Sequence, residues 1–285
     1  MFQNKYKNYY FALFGLFLAT IFLWQEVGKF SDNNLKVYFF NVGQGDAAYI
    51  RTPDQQDILI DGGPDATILS KLGEVMPFFD RKIELIILSH PQADHMSGLI
   101  DVIDRYDIGK IIWTKVQCQT GICQEWRRKI SEKNISQEKT IAGEVINFGK
   151  INIIFFHPNE DFENKKIKDL NASTIVAQLV YQNNSFLFTG DIDQGIEKTL
   201  TANFILKSDV LKVPHHGSKY SSSLIFLKGV DPQYAVIPVG KNSYGHPAPQ
   251  TLQNLKNSKI KTFRTDQDGD IKCEADGKNI NCQKK

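Results

Sequence analysis

The chain has 285 residues, which is enough for a catalytic domain with a sizeable hydrophobic core. Hydrophobic residues make up 41% of the chain and charged residues 23%, a balance that excludes global disorder. The formal net charge of +2 excludes a broad electrostatic footprint for nucleic acid, although it is compatible with a local basic patch.

The first predicted element is the apolar segment Tyr9–Trp24, which carries no charge. About 16 helical residues span about 24 Å, and aromatic residues at both ends extend the usable membrane span. Lys5 and Lys7 precede the segment and Glu26 follows it, so the positive-inside bias favours a cytoplasmic N-terminus and an external C-terminal domain. A signal peptide is the alternative. We favour an uncleaved anchor because no small-x-small cleavage site follows the segment.

This reading divides the chain into four regions. We expect a short cytoplasmic tail over 1–8, a single transmembrane anchor over 9–27, a linker over 28–34 and one folded domain over 35–285.

The domain begins with two strand-rich series. Apolar and alternating segments predict strands over 35–42, 47–52, 57–61, 83–89, 145–149, 151–156, 173–181, 185–191, 209–214 and 234–239. Helices are expected over 66–79 and 247–258, and a hairpin over 261–282. Strands mixed with helices in this way indicate an α/β (α+β) fold with two sheets flanked by helices.

The four cysteines fall into two local pairs. Cys118 and Cys123 lie five residues apart, and Cys273 and Cys282 lie nine apart. Both separations allow a disulfide, which suits an oxidising compartment and an external domain. The alternatives are four unpaired thiols in a reducing cytosol and a four-cysteine zinc site, which normally has shorter CxxC spacing.

Four short polar motifs follow predicted strands. They are SHPQADHMSG (89–98), FTGD (188–191), KVPHHGS (212–218) and YGHP (244–247). The motifs contain five of the six histidines, and imidazole and carboxylate groups on such loops can converge on one or two metal ions. Each motif alone also fits an ordinary turn. His157 has no second candidate ligand beside it, so we interpret it as structural.

Two further segments have simpler interpretations. The segment 266–270 has spacing unlike that of a calcium loop and is expected to form a hairpin turn. The segment 43–46, GQGD, lacks the third glycine of a dinucleotide fingerprint, and we expect a tight turn under the metal site.

The ordered series FFNVGQGDA, LIDGG, SHPQADHMSG, FTGD, VPHHGS and YGHPAP resembles the metallo-β-lactamase-fold domain of ComEC-type DNA-uptake proteins and their stand-alone relatives. The resemblance covers residues 35–272, nearly all of the predicted domain. It implies a four-layer αββα fold with a metal site at one edge of the β-sandwich. It also implies hydrolysis, with phosphodiesters as the favoured substrate class.

The resemblance also implies a set of metal ligands. His90 would be a ligand of one metal ion, Asp94, His95 and His246 would form the other site, and Asp191 would bridge the two. Zn and Mn both accept histidine and carboxylate ligands, so the expected cofactor is one or two divalent ions of either kind.

The same resemblance places the catalytic groups. Asp94 and Asp191 would orient the attacking water. His215 and His216 would lie on the substrate side, where one of them could contact a metal ion or the scissile phosphate. One of them would stabilise the phosphoryl charge and protonate the leaving group. The expected substrate contacts are His215, Lys212, Ser218, Lys219, Asn171 and Tyr244. For Lys212 and Ser218 a strand-surface charge and a turn residue are equally good interpretations.

Gln92 departs from the pattern. It stands where the superfamily usually has its second histidine, or where this branch commonly has an aspartate. An amide is a poorer ligand for zinc-like ions. The usual third-motif histidine also has no counterpart, because that region reads Leu170-Asn171-Ala172-Ser173. We therefore expect a depleted site next to His90, with one firmly held ion, a loose second ion or weak activity.

These features together predict a single-pass membrane protein whose extracellular domain is a metal-dependent hydrolase. We expect a phosphodiesterase or nuclease-like activity related to DNA uptake, with a nucleic-acid substrate and a separate DNA-channel protein as candidate partner. The first alternative is a non-catalytic external module that binds single-stranded DNA or another polyanion through a degenerate metal site. The second is a hydrolase of small phosphoesters, lactams or lactones.

Overall fold

The computed structural model describes residues 3–28 and 33–285. Its helices are α1 (Gln3–Gly28), α2 (Thr67–Val75), α3 (Ala93–Arg105), α4 (Gly121–Glu132), α5 (Gln194–Asn203), α6 (Leu224–Val230), α7 (Pro249–Asn257) and α8 (Thr265–Asp268). Short 3₁₀ turns cover Leu170–Ser173 and Pro214–Gly217. Residues 1–2 of the predicted tail and 29–32 of the predicted linker lie outside the described residues.

The strands belong to two sheets. They are β1 (Leu35–Phe39), β2 (Ala48–Arg51), β3 (Asp57–Ile60), β4 (Lys82–Ile87), β5 (Asp107–Ile112), β6 (Ser136–Glu138), β7 (Val145–Phe148), β8 (Ile151–His157), β9 (Val176–Tyr181), β10 (Asn184–Phe188), β11 (Val210–Lys212), β12 (Tyr234–Ile237), β13 (Lys261–Arg264), β14 (Ile271–Ala275) and β15 (Ile280–Lys284).

Helix α1 contains the predicted anchor. Its stretch Tyr6–Trp24 is long and apolar enough to cross a membrane, judged by length and composition, and is not buried against the rest of the chain. Apolar side chains such as Phe11, Leu16 and Phe17 are exposed around the helix, as expected for a segment that faces lipid rather than a protein core.

The two sheets form the middle of the domain. The first has eight strands in the order β15-β14-β1-β2-β3-β4-β5-β6, and the second has seven in the order β13-β12-β11-β10-β9-β8-β7. In each sheet, four neighbouring strands run parallel: β3 to β6 in the first and β10 to β13 in the second. Parallel strands need crossover connections, and α3 to α7 lie in such connections.

The hydrophobic residues divide into three clusters. One cluster lies between the sheets and includes Phe39, Phe155 and Phe186. A second packs helices α2 to α4 on the outer face of the first sheet, and a third packs α5 to α7 on the outer face of the second. This arrangement confirms the predicted four-layer αββα fold.

The ends of the parallel strands position the polar motifs. His90 follows β4, Asp191 follows β10, and His215 and His216 follow β11. Because these strands end at one edge of the sandwich, their loops converge there. Both predicted cysteine pairs are bonded, Cys118 to Cys123 and Cys273 to Cys282.

Candidate metal centre

The loop after β4 leads directly into α3. Asp94 and His95 lie in the first turn of this helix, where the positive end of the helix dipole stabilises a carboxylate. Gly98 allows the helix to dock closely, since a Cβ atom there would lie 2.1 Å from the carbonyl oxygen of Gly62. The Gly43–Asp46 turn also packs here, because the Asp46 amide donates to the Asp94 carbonyl over 3.1 Å.

Four donor groups meet at the floor of the site. Oxygen or nitrogen atoms of Asp94, His95, Asp191 and His216 all lie within 4.8 Å of one another. His95 Nε2 lies 3.9 Å from Asp94 Oδ2 and 3.4 Å from Asp191 Oδ1. His216 Nε2 lies 3.3 Å from Asp94 Oδ2 and 3.5 Å from Asp191 Oδ2. Metal bonds of about 2.0–2.2 Å in a tetrahedron separate the ligand atoms by about 3.3–3.6 Å, so the donor set fits a zinc-like ion.

The backbone aims His216 into this cluster. His215 and His216 have positive φ angles of 50° and 51°, which are uncommon for residues other than glycine and cost about 1–3 kcal/mol each. The His216 Nδ1–H donates to the Pro238 carbonyl over 2.9 Å, which leaves Nε2 facing the cluster. This is the usual support for a metal-binding imidazole.

His95 has a comparable support. Its Nδ1 lies 2.8 Å from Asp61 Oδ2, and the other Asp61 oxygen accepts from the Ser89 amide over 2.7 Å. The Ser89 hydroxyl donates to Asp61 and lies 3.0 Å from His90 Nδ1. A buried carboxylate behind a histidine fixes its tautomer and raises its basicity, so Asp61 orients His95 as a ligand.

A buried lysine lies beneath the cluster. Lys212 Nζ pairs closely with Asp46, donates to the Gly190 carbonyl over 2.7 Å and lies 3.6 Å from Asp191 Oδ1. Asp46 also lies 3.2 Å from His216 Nδ1. The ammonium group therefore compensates two buried carboxylates and holds them in position.

The electrostatics of the four donors favour a cation. Burial lowers the pKa of His216, but Asp191 and Asp46 raise it to about 10. Burial likewise opposes charge on His95, yet Asp191, Asp61 and Asp46 raise its pKa well above the usual range. Burial raises the pKa of Asp191, while His216 and His95 bring it well below its usual value. A divalent ion would displace the imidazole protons and supply the same positive charge.

The part of the centre around His90 and Gln92, where a second ion was expected, has fewer donors. His90 lies beside His95, with a ring-centroid distance of 4.2 Å, and its buried Nε2 has no hydrogen-bond partner among the described residues. Burial, and then His95, lower the pKa of His90 to about 3, so its imidazole is neutral. The Gln92 amide donates instead to Asn171 Oδ1 over 2.6 Å.

An open cleft of about 490 Å³ exposes the cluster to solvent. Asp94, Asp191 and His216 lie at its floor, and His215, His246 and Tyr244 line its walls. The cleft continues past His215 into a second cavity of about 520 Å³. The site can therefore admit a substrate that extends from the cluster past His215 into the second cavity.

Comparison of the chain with known proteins agrees with a metal-binding site of this kind. The family model described as "Metallo-beta-lactamase superfamily" matches residues 40–241. The chain belongs to the metallo-beta-lactamase superfamily. Proteins of this superfamily are usually hydrolases, and the fold normally binds one or two divalent metal ions.

Curated relatives of this superfamily member carry competence names. It is 28% identical over 255 residues to "ComE operon protein 3" of Bacillus subtilis, covering 83% of this chain and 32% of that protein. It is also 28% identical over 245 residues to "Competence protein ComA" of Neisseria gonorrhoeae, covering 84% and 32%. The chain thus spans about a third of the length of these relatives, and the predicted resemblance is confirmed.

Solved structures share the fold at low identity. The metallo-beta-lactamase fold protein YhfI from Bacillus subtilis has a TM-score of 0.58 and 12% identity, covering 85% of this chain and 100% of that one. CmlA, a diiron beta-hydroxylase from Streptomyces venezuelae, has a TM-score of 0.54 and 13% identity, covering 85% and 54%. At these identities the likeness shows the fold alone.

Several predicted site residues lie elsewhere than expected. His246, predicted as a ligand of the second site, lies outside the four-donor cluster, with its ring 6.5 Å from that of His216. Of His215 and His216, one of which was expected to contact either a metal ion or the phosphate, His216 lies in the cluster. Lys212 and Ser218, predicted to contact a phosphate, are 3% and 2% exposed. Lys212 pairs with buried carboxylates, and Ser218 lies in a buried turn.

The remaining predicted residues surround the cleft. Asn171 and Tyr244 line it, His215 is partly exposed in it, and Lys219 is exposed with its amine 4.9 Å from the Tyr220 ring centroid.

His157 is buried and hydrogen bonded to the Thr174 carbonyl. The predicted turn at 266–270 begins instead as the short helix α8.

Two buried carboxylates at the centre, Asp46 and Asp61, were not among the predicted site residues. The sequence pattern could have identified Asp61, because it ends an apolar strand and precedes Gly62-Gly63. Asp191 similarly follows an apolar strand and Gly190. Both carboxylates are nearly inaccessible, and buried carboxylates need partners. Their partners are the histidines and the lysine of the centre.

Proposed function

We propose that the chain is a metal-dependent hydrolase of phosphodiesters. One divalent ion would be held by Asp94, His95, Asp191 and His216. The observation that carries the proposal is the four-donor cluster, whose separations suit one ion and which lies at the floor of an open cleft.

A bound divalent ion lowers the pKa of water toward about 7 and so supplies hydroxide at neutral pH. The chain's own residues then have separate tasks. Asp94 and Asp191 would orient the attacking water, and their Oδ2 atoms lie 3.3 and 3.5 Å from His216 Nε2. Asp61 and the Pro238 carbonyl keep the two ligand imidazoles in their orientations.

His215 is the best placed group to serve the leaving oxygen. Its Nε2 lies 3.7 Å from Asp191 Oδ2, and its side chain is 30% exposed in the cleft. His216 is committed to the cluster and is almost fully buried. We therefore assign proton donation to the leaving group to His215.

The competence names of the relatives support a nucleic-acid substrate and a role in DNA uptake. The apolar helix α1 and the two disulfides support a domain that is anchored in the cell membrane and faces the oxidising exterior. A separate DNA-channel protein is the candidate partner, because the relatives carry competence names.

The activity is tested with the full-length chain purified in detergent. Metal content is measured by mass spectrometry, and hydrolysis of a labelled oligonucleotide is followed with Zn²⁺ or Mn²⁺ and after chelation. We expect one ion per chain, cleavage with added metal and none after chelation. A folded protein that retains no transition metal would favour the non-catalytic binding module. Metal binding with hydrolysis of lactams or lactones but not of phosphodiesters would favour the other alternative.

The topology is tested by labelling cysteines with a membrane-impermeant maleimide. In intact cells we expect labelling only after an impermeant reductant opens the disulfides. Labelling without reduction, or only after lysis, would contradict an external disulfide-bonded domain.

A further inference from the structure

Two exposed tyrosines flank the candidate metal centre. Tyr220 is 65% exposed and Tyr244 is 74% exposed. The other tyrosines of residues 33–285 are buried or packed: Tyr38, Tyr49, Tyr106, Tyr181 and Tyr234. The domain therefore leaves two tyrosine rings to solvent, and both line the cleft.

The two rings line the two adjoining cavities. Tyr244 lines the cavity that contains Asp94 and His216, and Tyr220 lines the cavity beyond His215. Both cavities are also lined by Asn171, Asp191 and His215. A phosphate held at the cluster would thus have one aromatic ring available to each of its two ester substituents.

The backbone of each tyrosine is fixed although its ring is exposed. The Tyr220 amide donates to Ser218 Oγ over 3.3 Å, and its carbonyl accepts from the Gln194 amide over 2.8 Å. The Tyr244 amide donates to Asn242 Oδ1 over 3.1 Å, and its ring lies 5.8 Å from that of His246. Within the described part of the chain, neither hydroxyl forms a hydrogen bond. Each ring therefore has one local contact, His246 for Tyr244 and Lys219 for Tyr220, and is otherwise exposed on an ordered segment.

We propose that Tyr220 and Tyr244 are stacking platforms for the bases on either side of the scissile phosphate in a single-stranded nucleic acid. The inference rests on the proposed phosphodiesterase function and names its substrate class. Exposed aromatic side chains stack on unpaired bases, whereas the bases of a duplex are already stacked inside the helix. A small phosphoester or lactam would occupy one side of the cluster and leave the other ring unused.

The side chains on the Tyr220 side carry both signs of charge. The wall there contains Asp169 and Asp193, which repel phosphate, and the exposed ammonium of Lys219 lies against the Tyr220 ring. Stacking does not itself neutralise phosphates, so removing either ring should lower the affinity but leave its salt dependence largely unchanged.

The test measures the affinity of the full-length chain in detergent for fluorescein-labelled strands by anisotropy, after chelation so that no cleavage occurs. The probes are a single-stranded 12-mer, the same strand with an abasic backbone and the matching duplex. We expect Tyr220→Ala and Tyr244→Ala each to weaken binding of the 12-mer by about 5- to 150-fold, the range for losing one base–aromatic stack. Tyr220→Phe and Tyr244→Phe keep the ring and should stay within about twofold of wild type.

The controls separate this inference from the proposed function. Ile205→Ala changes an exposed apolar residue that lines neither cavity and should leave affinity unchanged. Equal wild-type affinity for the base-containing and abasic strands, or no effect of either alanine variant, would overturn the inference even if the protein cleaves phosphodiesters. Base-dependent binding that is lost in the alanine variants would support the stacking inference, whether or not the protein cleaves the strand. In that case, absence of cleavage would contradict only the proposed hydrolase function.

Discussion

The two halves of the candidate metal centre differ in how their side chains are held. In the complete half, four donors face one point, and both imidazoles are fixed from behind by Asp61 and the Pro238 carbonyl. In the depleted half, His90 is neutral and buried, but Gln92 is turned toward Asn171. The first half resembles a preorganised site, whereas the second retains a single good ligand.

Under the proposed function, this difference would allow hydrolysis with a single ion. The complete half contains both carboxylates proposed to orient water, and it borders the cleft. The depleted half borders the same cleft through Gln92 and Asn171. A lost ligand there changes the affinity for a second ion without disturbing the supports of the first.

The largest expected effect follows from removing a donor of the complete half. Asp94→Ala, His95→Ala or His216→Ala should lower metal-dependent hydrolysis by more than about 1000-fold, because supporting residues alone contribute about 10- to 100-fold. Metal content and hydrolysis of the labelled oligonucleotide measure the loss.

Two histidine variants serve as matched controls for this prediction. His157→Ala and His246→Ala should retain bound metal, since His157 bonds to a backbone carbonyl and His246 lies outside the cluster. Metal loss in His246→Ala but not in His216→Ala would restore the ligand set predicted from the sequence. Full activity of folded Asp94→Ala would show that the donor assignment is wrong.

Strand patterns predicted two sheets flanked by helices, and the family resemblance implied the four-layer αββα arrangement. The strands β5 and β6 were not predicted. The motifs after the strands singled out His90, Asp94 and His95 as candidate ligands, but they did not show the partners of these residues. The choice between His216 and His246 depends on two consecutive positive φ angles in non-glycine residues, which no periodic pattern indicates. Neither interpretation of Lys212, as a phosphate contact or as a strand-surface charge, anticipated its burial. Buried lysines are rare unless paired, and its partner Asp46 is distant in sequence.

Lys212 allows a second test of the complete half. Lys212→Met leaves Asp46 and Asp191 without their buried cation, which should lower the free energy of unfolding by about 3–5 kcal/mol in metal-free protein. Added Zn²⁺ should recover more stability in this variant than in wild type, because the ion replaces part of the missing charge. Thermal unfolding with and without Zn²⁺ measures both effects.

The control is Lys110→Met. Lys110 forms an exposed ion pair with Glu138, so its loss should cost less than about 1 kcal/mol. Equal losses in the two lysine variants would show that Lys212 does not stabilise the buried carboxylates.

The two disulfides provide a third test. Cys118–Cys123 lies close to the metal loop, since Cys123 Sγ is 3.9 Å from both the Pro91 carbonyl oxygen and Met96 Sδ. Replacing both cysteines with serine should cost about 2 kcal/mol through loop entropy and should also weaken metal binding. The matched Cys273→Ser, Cys282→Ser variant should lose similar stability but keep its metal affinity, because that disulfide joins β14 to β15. Equal effects on metal affinity would argue against support of the loop by Cys118–Cys123.

The smallest expected effect tests the depleted half directly. Gln92→Asp places an anionic oxygen beside His90 and should raise affinity for a second ion by about tenfold, with higher activity. Gln92 is also the N-cap of α3 and makes no side-chain capping bond, so aspartate should stabilise that helix by about 1 kcal/mol. Gln92→Asn separates these effects, because asparagine can cap the helix without adding a carboxylate ligand. Metal titration with activity followed in parallel should therefore show a second bound ion in Gln92→Asp alone. Equal stoichiometry and affinity in wild type and Gln92→Asp would show that residue 92 does not limit the second site, and that the one-ion centre has another cause.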